Sequence, residues 1–317
     1  MISTFLDSGA PSLYSKFFKT SSKKGMGSSL ADRQYDNFNF IKSNFYKEFF
    51  QNYIDFIKEH NDCLPIYANF DVINNAEETL KNQLEMERQG LHPIPVFHFG
   101  TDLKYLQNYL DKGYSYIALG GMVPNAPSVL QDALDNIWKS FFLDANNYPK
   151  VKVHGFAMTS FQLMFRYPWY SVDSSSWALT GAFGSIIVPK LVNLKPNYLV
   201  APLKIKISNR APKFTEEAVH FDTMSPMEQK ALMDFVESRG FKLGKSSHKK
   251  VDKSYKLTKN ERWVKINEEV ETIHEYGVSN DHNQRDRWNI QYFVDVEKAI
   301  PTWPWAFKPN KLEGFGL

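Results

Sequence analysis

Residues 93–121 read PIPVFHFGTDLKYLQNYLDKGYSYIALGG, and this stretch decides the fold class. Pro93–Phe97 is a short apolar run ending on His98, which predicts a buried strand. Asp102–Lys112 reads as a helix, closed by Gly113 at its C-terminal cap. Tyr114–Leu119 is a second apolar run, ending on Gly120-Gly121. A strand, a helix and a strand in so few residues predict two parallel strands joined by a helical crossover.

The same alternation extends in both directions. Ile2–Leu6 predicts a strand entering the turn Asp7-Ser8-Gly9. Phe45–His60 reads as an amphipathic helix, Leu64–Phe70 as a strand ending on Asp71, and Glu77–Gln89 as a helix closed by Gly90. Further on come a helix at Ser128–Phe142, a strand at Val151–Val153 ending on His154-Gly155, a short helix at Thr159–Arg166 and a strand at Trp169–Val172 ending on Asp173. Six strands alternating with helices predict a parallel sheet of the α/β class, in the manner of a (β/α)8-type TIM barrel, regular or irregular. Ser185–Val188 and Tyr198–Ile207 are the candidates for the remaining strands, or for an added hairpin. The barrel core is expected over residues 1–210. A helical and basic C-terminal region, residues 211–317, would complete it and contact nucleic acid; residues 213–240 and part of 261–298 read as helical. Residues 11–40, rich in Ser, Lys, Gly and Asn, read as a long loop.

The chain has 317 residues, enough for one barrel of about 250 residues and an appendage. No run of about 18 apolar residues exists, which predicts no membrane span. The stretch MISTFLDSGAPS lacks the pattern of a signal peptide. A cytoplasmic location is expected, that of the host if the chain is phage-encoded. The single cysteine, Cys63, forms no internal disulfide and builds no structural zinc cluster; it reads as inert. The net charge of +3 is uneven: residues 14–47 carry +5 and residues 240–265 carry +7, so the rest is acidic. Two basic segments on an acidic body point to an anionic partner.

Polar residues fall where the strands end. Asp7, Asp71, His98, Gly120-Gly121, His154-Gly155 and Asp173 each directly follow an apolar run. In a parallel barrel all strand C-termini open at one mouth, so these residues are expected to converge. Asp7 and Asp173 form a candidate carboxylate pair of the kind used at a glycosidic carbon. Asp71 suits the donor edge of a bound base, and Gly120-Gly121 bares backbone for a flat ligand. Phe97, Phe99, Phe156 and Met158 are candidates for apolar walls, though core is the commoner role of each. A metal-dependent hydrolase using His98, His154, Asp7 and Asp173 stays open as an alternative, as does a catalytically silent nucleic-acid-binding chain.

The segments Asp7-Ser8-Gly9, Asn69-Phe70-Asp71, Leu119-Gly120-Gly121, Gly155 before Thr159, and Ser171-Val172-Asp173 resemble the tRNA-guanine transglycosylase superfamily. Pro95-Val96-Phe97-His98, His154-Gly155-Phe156 and Tyr167-Pro168-Trp169-Tyr170-Ser171-Val172-Asp173-Ser174 are most similar to its DNA-modifying branch, found in phages and bacteria. The resemblance covers about residues 2–190. It implies exchange of guanine in DNA for a free 7-deazaguanine base, with tRNA as the alternative substrate and no cofactor. Asp173 would be the nucleophile and Asp7 the general acid and base. Ser8, Asp71, His98, Gly120, Gly121, His154 and Gly155 would surround the base. The tRNA enzymes carry a Cys/His zinc site near the C-terminus; one cysteine cannot build it, and no metal is expected here. Where those enzymes place Gln in the base pocket this chain has His98, and Ala10-Pro11 follows Ser8-Gly9 in place of a Gly-Phe type of pair.

A nucleic-acid substrate fits the basic segment. Lys249, Lys250, Lys253 and Lys256, with Lys245, Lys259 and Lys265, are candidates for phosphate contacts, and Tyr255 and Trp263 for stacking. Arg285, Arg287 and Trp288 form a second candidate group. Base exchange in a duplex requires a flipped base or a melted strand, and the basic loop at residues 14–44 is a candidate for that step.

Overall fold

In the computed structural model, which describes residues 5–21, 38–122, 125–158, 160–192, 195–211 and 219–307, the chain divides into two units. The described part of the first comprises residues 5–173 and 303–307. Its elements are β1 (Phe5–Leu6), α1 (Ala10–Ser21), α2 (Asn44–Glu59), β2 (Ile66–Tyr67), α3 (Ala76–Arg88), β3 (Val96–His98), α4 (Lys104–Asp111), β4 (Tyr116–Gly120), α5 (Pro127–Ile137), β5 (Lys152–Gly155), α6 (Phe161–Arg166) and β6 (Ser171–Val172).

The six strands lie side by side in chain order and are all parallel. β1 pairs with β2, the bridge Ala68–Ile94 carries the pairing across to the segment before β3, and β3-β4-β5-β6 follow as one sheet. Neighbouring strands are spaced by about 4.8 Å, so β1 and β5 would stand roughly 19 Å apart in a flat sheet. Instead the Phe5 ring stacks on His154 with centroids 4.5 Å apart. The sheet is therefore strongly rolled, with Phe5, His154 and Phe156 on its inner face. Small side chains make the roll possible: fully buried Ala68 and Ala118 pack inside with Ile94 and Val96. Among the described residues β1 and β6 are the sheet's two edges, and no closed barrel is found.

Helices cover the outer face. Ile54 and Ile57 of α2 and Met86 of α3 pack with Tyr67 and Phe70. Burying each such side chain contributes about 2 kcal/mol. The inner side of α3 is polar for a reason: it holds the loop after β2. Asn69 Nδ2 donates to Thr79 O at 2.7 Å, Asn82 Nδ2 to Phe70 O at 2.7 Å, and Val72 N to Thr79 Oγ1 at 2.9 Å. These bonds fix the backbone on both sides of Asp71. On the far side of the sheet, Arg166 forks onto Asp135 at 2.8 and 2.6 Å, and Tyr167 donates to the same carboxylate at 2.7 Å. This cluster ties α6 to α5 and sets the start of the segment that becomes β6. Trp303 donates to Pro168 O at 3.1 Å and Phe307 stacks on Tyr167, which returns residues 303–307 to this unit.

Three expectations are corrected. The first part of the predicted loop is helix α1, because Leu13 and Phe17 present an apolar edge to the outer cluster; residues 22–37 lie outside the described residues. The helix expected to run to Phe142 changes at Trp138 into a π-helical turn, Trp138–Phe142, in which both end residues are fully buried. The units divide after Asp173, not near residue 210.

The second unit has its own core, which explains that division. It contains α7 (Ser176–Ala182), β7 (Ser185–Val188), the hairpin β8 (Lys190–Val192) and β9 (Lys195–Asn197), β10 (Leu203–Lys206), β11 (Val219–His220), α8 (Pro226–Ser238), β12 (Lys245–Lys250), β13 (Glu261–Lys265), β14 (Glu269–Glu275) and α9 (His282–Ala299). β10 pairs antiparallel with β7 and parallel with β11, so the alternation of parallel strands and helices ends here. Ile186, Ile205, Leu232, Val236 and Trp288 form the core. Buried Asn289 accepts from Ile187 N at 2.9 Å and donates to Trp177 O at 3.0 Å, joining α9 to β7 and α7. The basic segment 240–265 forms most of an antiparallel sheet, β12-β14-β13; the reading of residues 261–298 as partly helical holds only from His282.

Candidate active site

The C-terminal ends of β1 to β6 carry two hydrogen-bonded groups. The first begins with the turn after β1. Gly9 has a φ of 72°, a left-handed conformation that favours glycine, and its carbonyl starts α1 by accepting from Leu13 N at 3.0 Å. The turn buries Ser8, whose Oγ donates to Asp71 Oδ1 at 2.5 Å and accepts from Ala10 N at 3.2 Å. The other Asp71 oxygen, Oδ2, accepts from His98 Nε2 at 2.8 Å. His98 is buried and its Nδ1 has no partner among the described residues. Ser8, Asp71 and His98, from the ends of three strands, thus form one chain.

Gly120 gives this chain its room. A Cβ there would stand 2.9 Å from His98 Cδ2. The space beside Gly120, expected to admit a flat ligand, is filled by the imidazole. Gly121 has a φ of 72° and leads the chain away from β4. Phe97 and Met158 are buried, whereas Phe99 and Phe156 are half-buried.

The second group surrounds Asp173. Its Oδ1 accepts from Ala157 N at 2.6 Å, and its own N–H donates to Gly155 O at 3.2 Å. His154 Nε2 lies 4.0 Å from the same oxygen. His154 is buried, its Nδ1 is 2.7 Å from Ser171 Oγ, and Ser171 Oγ is 2.6 Å from the Tyr116 hydroxyl. Gly155 lets the ring of Trp169 approach: a Cβ there would meet it at 3.2 Å.

Electrostatics distinguish the carboxyls. Asp7 reaches solvent on one side but is otherwise surrounded by protein. This loss of water, reinforced by the charges of Asp71 and Asp173, raises its carboxyl from 3.8 to about 6, with the Gly9 and Ser8 amides opposing. Asp173, half-exposed, is also raised by loss of water, with the Ala157 amide opposing. Burial lowers His154 to about 4, so its ring is neutral at pH 7. Asp7 therefore lies within range of the charges of both Asp71 and Asp173.

Compared with known proteins, this chain matches no family model, no curated protein and no solved structure.

The lysines and arginines predicted to contact phosphates lie in the second unit, and they differ in kind. Lys250 on β12 and Lys253 and Lys256 after it are exposed, as is Arg287 on α9. Lys249 is engaged: its Nζ is 2.5 Å from Glu261 and from the Tyr255 hydroxyl, and it holds the Glu261 carboxyl well below its usual range. Arg285 corrects the sequence reading. It is buried, donating to Gly181 O at 2.7 Å and Val278 O at 2.9 Å, so it braces backbone and offers nothing to a phosphate. Trp288 is likewise buried, with its indole N–H on Ile187 O.

Among the described residues no three His, Cys, Asp or Glu side chains are grouped to hold a metal ion, and no helix is long and apolar enough to cross a membrane. Sequence reasoning missed Ser171, Tyr116 and the Ala157 amide. Ser171 was accessible to it, because side chains two apart on a strand share a face and Ser171 stands two before Asp173.

Proposed function

We propose that this chain is a glycosyltransferase that exchanges guanine in DNA for a 7-deazaguanine base. The observation that carries the reading is the pair Asp7 and Asp173. They lie in one rolled parallel sheet, at strand ends, within range of each other's charge. One is anchored by a backbone amide, and the other sits at about 6, close to working pH. Two carboxyls in different environments are what displacement at a glycosidic carbon requires.

In the first step a carboxylate oxygen of Asp173 bonds to C1′ of the sugar as the bond from C1′ to the guanine nitrogen breaks. The electron pair leaves with the base, which takes a proton from Asp7. In the second step the incoming 7-deazaguanine gives a proton to Asp7, its nitrogen attacks C1′, and the bond to Asp173 breaks. Two inversions retain the configuration. The chain Ser8, Asp71 and His98 forms the polar wall beside the base. On this reading the six rolled strands are part of a (β/α)8-type barrel. DNA is favoured over tRNA by the single cysteine, which cannot build the zinc site of the tRNA enzymes; exposed Lys250, Lys253 and Lys256 suit the phosphates of either nucleic acid.

The test is release of labelled guanine from duplex DNA and, separately, from tRNA, with a 7-deazaguanine base present. Release from DNA, abolished by Asp173→Asn, is the expected result. Release from tRNA alone would move the substrate to RNA, and no release from either would overturn the reading.

A further inference from the structure

The proposed base exchange leaves one buried group at the site, His154, without a role. His154 is about 97% buried, its ring lies against Phe5 at 4.5 Å and Phe156 at 4.6 Å, and its Nε2 has no hydrogen-bond partner among the described residues. A buried ring nitrogen without a partner is costly unless something makes use of it. Its other nitrogen is the end of a chain: Tyr116 OH, Ser171 Oγ, His154 Nδ1, with links of 2.6 and 2.7 Å.

The direction of this chain sets the tautomer. A neutral imidazole carries one proton, so one nitrogen donates and the other accepts. If Tyr116 donates to Ser171 and Ser171 donates to Nδ1, the proton sits on Nε2. If Nδ1 donates to Ser171, a bare lone pair on Nε2 faces Asp173 Oδ1 at 4.0 Å, and the two repel. An N–H facing a carboxylate is favourable, so Asp173 selects the first arrangement.

We propose that His154 is a positioning residue for Asp173: Tyr116 and Ser171 fix its Nε2–H, which faces Oδ1 beside the Ala157 amide and leaves Oδ2 as the oxygen that attacks. A shift of about 1 Å brings this N–H to hydrogen-bonding distance. The role in attack rests on the base-exchange reading; the tautomer and its effect on the Asp173 carboxyl do not.

The experiment uses the full chain, labelled with 15N in histidine and 13C in aspartate, as wild type, His154→Gln, His154→Phe and Ser171→Ala. Gln places an amide N–H where Nε2–H stands; Phe keeps the ring and removes the donor. Near-native melting temperatures establish that each variant is folded. The expected result is an Nε2–H tautomer at pH 7 in wild type, an Asp173 carboxyl that titrates higher in His154→Phe, and its return toward wild type in His154→Gln. Guanine release is expected to fall about a hundredfold in His154→Phe with KM little changed, and to fall less in His154→Gln and Ser171→Ala. An Nδ1–H tautomer in wild type, or an Asp173 titration the same in Phe and wild type, overturns the proposal even if no base is released. Loss of release in every variant, wild type included, with the titration shift intact would instead overturn the base-exchange reading.

Discussion

The imidazole of His98 rests on the bare backbone of Gly120, where a Cβ would come within 2.9 Å of its Cδ2. That close approach sets the ring where Nε2 meets Asp71 Oδ2 at 2.8 Å. Gly120→Ala is therefore expected to push the ring off Asp71. Overpacking of this kind costs about 1–3 kcal/mol, measurable by urea unfolding. Guanine release is expected to fall at least tenfold, as in His98→Ala. A Gly120→Ala variant with native stability and native release would show that the contact does not position His98.

Asp7 makes stability depend on pH in an unusual direction. Its carboxyl stands at about 6 in the folded chain against an ordinary 3.8. Between about pH 4 and 6 the folded state holds a proton that the unfolded state has released, so this group makes stability fall as pH rises through that window. Asp7→Asn is expected to stabilise the protein at pH 7 by about 1 kcal/mol, a figure reduced because the side chain reaches solvent. The gain should vanish below about pH 4. Unfolding in urea across this range checks it, and a gain that grows on acidification would contradict it. In the proposed exchange, guanine takes its proton from Asp7, so the rate of release should decline above about pH 6.

Arg166 and Asp135 support β6 from outside the site. Arg166 is buried and bidentate on Asp135. Arg166→Met leaves Asp135 only the more distant Lys139, 3.9 Å away, and is expected to cost about 3 kcal/mol. Asp135→Asn should cost less, because its one amide oxygen still accepts from Tyr167 and from Arg166 Nε. Equal losses in the two variants would argue against a paired charge as the source of stability.

The lysines and Arg285 are predicted to separate in two assays. Lys250→Gln, Lys253→Gln and Lys256→Gln together should weaken duplex DNA binding and reduce the slope of log affinity against log salt by about 2 to 3, with the melting temperature unchanged. Arg285→Ala should lower the melting temperature, since Gly181 and Val278 lose their donor. A triple variant that binds DNA with the native salt slope would remove these lysines from the interface.

Much of the first unit was legible because each strand is a short apolar run closed by a residue that stops it. His98, Gly120, Gly155 and Asp173 all mark such stops, and the structure places them at the strand ends or directly after them. Helix α1 was hidden by composition: Ser12, Ser15 and Lys16 are exposed, while Ala10, Leu13 and Phe17 mark the inner edge. Beyond Asp173 the sequence left two readings open, further barrel strands or an added hairpin, because short buried runs carry no mark of strand direction; β7 and β10 pair antiparallel, in line with the second. In the site, residue types were readable and their partners were not. Nothing in the sequence shows that Asp71 would spend both oxygens on Ser8 and His98, or that Arg285, on a charged helix, would turn inward to two carbonyls.

The most direct measurement is a search for the covalent intermediate. Full-length protein is mixed with guanine-containing duplex DNA, quenched in denaturant and measured as intact mass. A protein–DNA adduct is expected in wild type, attached through Asp173, absent in Asp173→Asn, and discharged when a 7-deazaguanine base is added. An adduct that persists in Asp173→Asn, or guanine release with no adduct trapped at any time, would contradict the proposed exchange.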